Sequence, residues 1–264
     1  MTSSLNGRRV VVVGASSGIG RGVALRAANG GADVIVAARR KDRLDDLIEE
    51  APAATPVALD LRDPSSCAGF FSVVRERFDG IDLLFVSAGA APLRRFAATS
   101  DDDWRTAIET NVIGVHRAIA GLIDLLGPGS IVVVVSSESV DEPRSHLGAY
   151  GASKAALEHS LGQWREEHPW LRFAVVSLGA TVPTEFGSQF DHDQLVDALN
   201  AWAGSGRNQA AFMSTTEVCD VLTATIGALL NAPSVDMPRI VLRSPSPPET
   251  DVAATVEIAS AANR

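Results

Sequence analysis

The chain has 264 residues, 46% of them apolar, with 23 basic and 32 acidic side chains and a formal net charge of −9. Such a composition supports a substantial core and argues against nucleic-acid or anionic-membrane partners, which need a basic face. No apolar run reaches the length of a membrane span, and Met1 to Arg9 carries no signal-peptide pattern. Cys67 and Cys219 match no redox or zinc spacing, so no metal is expected and a cytoplasmic protein is.

Short β-branched runs alternate with segments of helical period. Val10 to Val13, Val34 to Ala37, Pro56 to Leu59, Leu83 to Val86, Ile131 to Val135, Phe173 to Ser177 and Ile240 to Leu242 read as strands. Helical patterns lie near 18–29, 41–50, 64–78, 102–126, 150–166 and 215–231. Nearly continuous apolar strands separated by helices imply α/β architecture: a doubly wound parallel sheet of Rossmann type, covered on both faces. One such domain is expected over 1–243, followed by a C-terminal tail, 244–264. Ser100 is placed to cap a helix whose first turn is Asp101, Asp102 and Asp103, and Gly30 and Gly31 suit a left-handed helix end.

Directly after the first strand comes Gly14-Ala-Ser-Ser-Gly18-Ile-Gly20, opening a helix. Glycine there allows a sharp turn and close backbone approach to a pyrophosphate, and the helix N-terminus offers N–H groups to it. The same residues satisfy the G-x-S-x-G elbow of a serine hydrolase, with Ser16 as nucleophile. That reading is the weaker one, because the elbow normally comes later in the sheet.

At the end of the second strand an NAD-preferring site carries an acid for the ribose hydroxyls. Here the position is Ala38, followed by Arg39 and Arg40. Without the acid a 2′-phosphate is not repelled, and a guanidinium can grip it. Arg39 is the favoured grip; Arg40 either joins it or begins a solvated helix. The expected cofactor is therefore NADP(H).

Tyr150-Gly-Ala-Ser-Lys154 sets the chain's one tyrosine a single helical turn from a lysine. A phenol is a poor base at neutral pH, and a nearby ammonium lowers its pKa toward the useful range. With the glycine loop, this motif makes the chain resemble the short-chain dehydrogenase/reductase family, from about Arg9 to Leu242. The resemblance implies an oxidoreductase that interconverts a small-molecule carbonyl and alcohol by hydride transfer, with Tyr150 as general acid/base. It also implies a catalytic Ser137, with Ser136 and Ser139 as competitors, and Asn111 as holder of a proton-relay water. A cofactor lining follows from it: Gly14, Ser16, Ser17, Gly18, Ile19, Gly20, Asp60 and Leu61 beside the adenine, Ser87, Ala88, Gly89, Asn111, Tyr150, Lys154, Gly179, Val182 and Thr184.

Several positions depart from the family pattern. Val86-Ser87-Ala88-Gly89 replaces Asn-Asn-Ala-Gly, Leu178-Gly179 replaces Pro-Gly, and Leu242-Arg-Ser-Pro replaces a glycine-rich turn. The stretch 184–212, with a short helix around Asp193 to Trp202, is expected to cover the substrate. His146 is a candidate pocket residue. The family resemblance also implies a homo-oligomer, a tetramer or dimer, through the helices at 102–126 and 150–166. A dinucleotide-binding sensor without turnover is the remaining alternative.

Overall fold

A computed structural model describes residues 5–187, 190–209, 211–245 and 248–249. The first half runs β1 (Arg9–Val13), α1 (Gly18–Asn29), β2 (Asp33–Ala38), α2 (Lys41–Glu50), β3 (Thr55–Ala58), α3 (Pro64–Arg77) and β4 (Ile81–Val86). Then come α4 (Asp101–Ile108), α5 (Gly114–Ala120), β5 (Leu126–Val135), α6 (Gly148–Glu167) and β6 (Arg172–Leu178). The remainder is β7 (Thr181–Val182), α7 (His192–Gly204), β8 (Asn208–Gln209), β9 (Met213–Ser214), α8 (Thr215–Leu230), β10 (Arg239–Leu242) and β11 (Pro248–Glu249).

Seven strands form one sheet in the order β10-β6-β5-β4-β1-β2-β3, every pairing parallel. Valine dominates β1 because both of its faces are covered. Val10 and Val12 pack with Val23 of α1 and Leu222 of α8, while Val11 and Val13 pack with Phe70 of α3, Ile119 of α5 and Leu157 of α6. Period-two alternation thus feeds two separate cores from one apolar run.

The expected helix over 102–126 is broken. Ser100 and Asp103 form a capping box at its start, but the helix opens into a π turn over Glu109–Ile113. It ends in the 3₁₀ turn Ile123–Leu125, and β5 begins already at Leu126. The π turn is anchored by Asn111, whose side chain is fully buried and bonded across to Ala90 and Ser153. At the end of α1 it is Gly31, with φ 89°, and not Gly30 that takes the left-handed conformation.

The four two-residue strands carry too short a pattern to be read from sequence. β7 pairs with β9, and β11, in the C-terminal tail, pairs antiparallel with β8. The alanine-rich tail end lies outside the described residues. Within the 102–126 segment, Val115, Ile119 and Leu122 are fully buried against this chain's own sheet. Among the described residues no helix is long and apolar enough to cross a membrane.

Candidate active site

β1 and β4 are sheet neighbours although their connections run to opposite sides, and at such a switch point a crevice opens beyond the carboxyl ends of the strands. The cleft there has a volume of ≈ 710 Å³. It is lined by the glycine loop, the ends of β2 and β4, Ser137, Tyr150, Lys154 and the segment after β6.

Two glycines of the loop, Gly14 and Gly20, have no room for a side chain. Gly14 has φ 90°, and a Cβ there would stand 2.5 Å from the Ala88 amide nitrogen. A Cβ at Gly20 would collide with Ser87 Oγ and the Gly14 carbonyl oxygen. Ser87, in place of the family's asparagine, packs on the loop with its hydroxyl 3.3 Å from that same carbonyl. The bracing amide comes instead from Asn111, which donates to Ala90 O and accepts from Ala90 N, both at 2.8 Å. Asn111 also donates to Ser153 Oγ at 2.8 Å, so both of its N–H bonds are committed to protein. At the start of α1 no side chain caps the helix, which leaves backbone N–H groups for an anion.

Arg40 Nη2 donates to Ser16 Oγ at 2.8 Å and to Ser17 Oγ at 3.1 Å. Its Nη1 lies 2.5 Å from the Glu185 carboxylate. Arg39, the favoured grip in the sequence, is exposed, and lines the same cleft. Ser16 therefore serves an arginine, and no histidine among the described residues bonds it, so the hydrolase elbow lacks its base. Asp60 lines the cleft with its carboxylate held by Arg62 at 3.1 Å, which draws its pKa below the usual range. Leu61 is buried beside it.

Tyr150 and Lys154 lie on the buried face of α6. Lys154 Nζ stands 5.9 Å from the phenol ring centre and donates to Val135 O at 2.7 Å. Burial pushes the phenol up to about 12, a hydrogen bond with Ser137 pulling the other way. Burial also brings the lysine down to about 8, with Glu158 opposing. The phenol is thus raised where the sequence suggested a lowering, with burial as the largest cause. Of the three competing serines, Ser136 donates to Glu158 at 2.5 Å, and Ser139 donates to Ser137 at 3.0 Å. Ser137 is the one whose hydroxyl acts on the Tyr150 phenol, and it lines the cleft beside it.

Gly179, Val182 and Thr184 line the cleft after β6, and Phe186, Phe190, Leu195 and Trp202 close its outer side. His146 does not line it. Its ring is buried behind the wall, with Nε2 3.0 Å from Asp197 of α7. Sequence reasoning missed Glu138, Arg144 and Glu185. Glu138 adjoins Ser137, and that adjacency was the signal available for it.

A parallel sheet with a glycine loop at its switch point, beside a buried Tyr–Lys pair, defines a Rossmann-type dinucleotide fold with a polar reaction centre. Residues 8–195 match the short chain dehydrogenase family. The chain belongs to that family.

The chain is 37% identical over 157 residues to a sulfoacetaldehyde reductase of Chromohalobacter salexigens, covering 56% of this chain and 62% of the relative. It is 35% identical over 162 residues to the L-xylulose reductase of Mus musculus, covering 60% and 64%. A glycine betaine reductase of Emericella nidulans is 31% identical over 203 residues, which are 72% of this chain but 16% of that protein. The chain therefore spans less than two thirds of the length of each of these relatives. An alcohol dehydrogenase from Thermococcus sibiricus, complexed with 5-hydroxy-NADP, superposes with TM-score 0.75 at 25% identity, covering 90% of this chain and 97% of that one.

Proposed function

We propose that the protein is an NADP(H)-dependent oxidoreductase interconverting a carbonyl and an alcohol, with Tyr150 as the proton-transfer residue. The observation that carries this reading is the buried Tyr150–Lys154 pair, which lines the glycine-loop cleft together with Ser137. The relatives named as reductases and the 5-hydroxy-NADP complex of a similar enzyme support it.

The residues suit a dinucleotide. Gly14, Gly18, Ile19 and Gly20, with Ser16 and Ser17, bring bare backbone and a helix N-terminus to a pyrophosphate. Arg40 and Arg39 take the 2′-phosphate, and Ala38 leaves that phosphate unopposed. Asp60 and Leu61 border the adenine; Ser87, Ala88 and Gly89 border the sugars; Gly179, Val182 and Thr184 meet the carboxamide.

The nicotinamide supplies or accepts the hydride. In reduction Tyr150 donates its proton to the carbonyl oxygen, and a phenol pushed up to about 12 is fully protonated for that task at neutral pH. Ser137 donates a hydrogen bond to the same oxygen and stabilises its developing charge. Lys154 favours the phenolate as it forms and holds the ribose. In oxidation the same proton travels back to Tyr150. Asn111 keeps the loop after β4 and the π turn in register beside Lys154.

We read the working form as a cytosolic homo-oligomer, a tetramer or dimer; sedimentation as a monomer at micromolar concentration overturns the assembly. For the activity, NADPH absorbance is followed across a panel of aldehydes, ketones and sugars. Turnover of at least one member, lost in Tyr150→Phe, supports the reading. NADPH binding without turnover of any member would overturn it in favour of a sensor.

A further inference from the structure

Glu138 directly follows Ser137 and opens a single 3₁₀ turn, Glu138–Val140. Its side chain is only 12% exposed, and that of its partner Arg144 only 10%. Arg144 Nη2 donates to Glu138 Oε1, and Nη1 donates to the Arg207 carbonyl. The same guanidinium stands over the Trp202 ring, 5.9 Å from its centre. The pair is thus fastened to the end of α7 and lines the substrate half of the cleft.

The second carboxylate oxygen, Oε2, is buried and has no hydrogen-bond partner among the described residues. Its space exists because residue 179 is glycine: a Cβ there would stand 3.0 Å from Oε2. A buried acceptor without a donor is costly and rare, and calls for an explanation. Arg144 already balances the charge of Glu138. What the pocket lacks is therefore a neutral donor, which a hydroxyl provides, and not a cation, which an ammonium would bring.

We propose that Glu138 is a specificity residue whose Oε2 accepts a hydrogen bond from a hydroxyl next to the reacting carbonyl, so that the substrates are hydroxylated carbonyl compounds. This rests on the oxidoreductase reading above. Glu138 lines the cleft next to Ser137, and a turn about its side-chain bonds would bring Oε2 toward a substrate held there. The reacting oxygen then lies on Ser137 and Tyr150, and the neighbouring hydroxyl on Glu138. A ketone without that hydroxyl leaves the acceptor unpaired, and sites built for a hydroxyl reject such analogues strongly. The hydroxyl itself is neither oxidised nor reduced; hydride and proton still go to the carbonyl alone.

The test compares erythrulose with 2-butanone, and dihydroxyacetone with acetone, by kcat/KM with NADPH. The hydroxylated member of each pair is expected to be favoured at least about tenfold. The double variant Glu138→Leu/Arg144→Met removes the ion pair together and leaves no lone buried charge. In it the erythrulose-to-butanone ratio should fall at least about tenfold, with NADPH affinity retained. If the variant does not fold, the two wild-type ratios decide alone. Ratios of one or below, or a ratio unchanged in a folded variant, overturn the role of Glu138. Turnover of plain ketones only overturns this inference and leaves the oxidoreductase reading standing. No NADPH consumption with any carbonyl overturns both.

Discussion

The Arg40 guanidinium joins two sides of the cleft: Nη2 is 2.8 Å from the Ser16 hydroxyl, and Nη1 is 2.5 Å from Glu185. It thereby stands over the serines of the glycine loop, where a 2′-phosphate can take the hydroxyls and the cation together. A charge-assisted hydrogen bond contributes roughly 1.5–3 kcal/mol, or about ten- to a hundredfold in affinity. With the Arg40 side chain 40% exposed, solvent screening sets the lower end of that range. Arg40→Ala should weaken NADPH binding about tenfold and leave NADH nearly unchanged. Ala38→Asp with Arg39→Ala should shift preference toward NADH. Fluorescence titration at low and high salt checks both; equal wild-type affinity for the two cofactors at low salt contradicts the assignment.

Tyr150→Phe keeps the ring, whose edge meets Phe186 with centroids 5.3 Å apart, and removes the proton. General acid catalysis is worth about 10²–10⁴-fold, so kcat should fall by that factor with NADPH affinity intact. Near-native turnover in this variant would exclude Tyr150 as the donor.

Lys154 bears on stability as well as chemistry. Its pKa falls from 10.5 to about 8 because burial penalises the ammonium. The unfolded chain therefore holds the proton between those values while the folded chain does not, and stability rises with pH through that window. Below about 8 the penalty is fully present. Lys154→Met should be inactive yet more stable at pH 7, by roughly 1–2 kcal/mol after loss of the bond to Val135 O. That advantage should shrink as pH rises toward 10.5, measured by denaturant melts. An advantage that grows with pH has the wrong sign for this account.

Helix α7 is tied to the body by a small apolar cluster with Leu93, Leu147 and Tyr150 and by a set of polar contacts. Asp197 bonds Arg95 Nη2 at 2.7 Å and His146 at 3.0 Å, and Trp202 donates to Ser145 O at 2.7 Å. Segments held this way open readily, and a ligand that engages them adds protection. Hydrogen exchange of His192–Gly204 should slow on adding NADPH. Equal protection with and without NADPH counts against a closing role.

Gly20→Ala tests the cradle. Its methyl would meet the Gly14 carbonyl and Ser87 Oγ, so the loop must shift. A cost of about 1–3 kcal/mol in stability is expected, with NADPH binding lost first. Thermal melts and titration together check it; unchanged binding argues that the loop does not carry the pyrophosphate.

What the sequence determined by itself is the part written in local pattern. Valine runs with the period of strands led to the parallel sheet, and the glycine loop and Tyr150–Lys154 stood out because each motif occupies a few adjacent positions. Tertiary structure decided the rest, because the deciding partners are distant in the chain. Arg40 finds Glu185, Arg144 finds the Arg207 carbonyl, and Asn111 finds Ala90 and Ser153, in the last case opening the helix into a π turn. No periodicity encodes such pairs. The same holds for Tyr150: a lysine one turn away suggests a lowered pKa, but burial in the folded chain raises it.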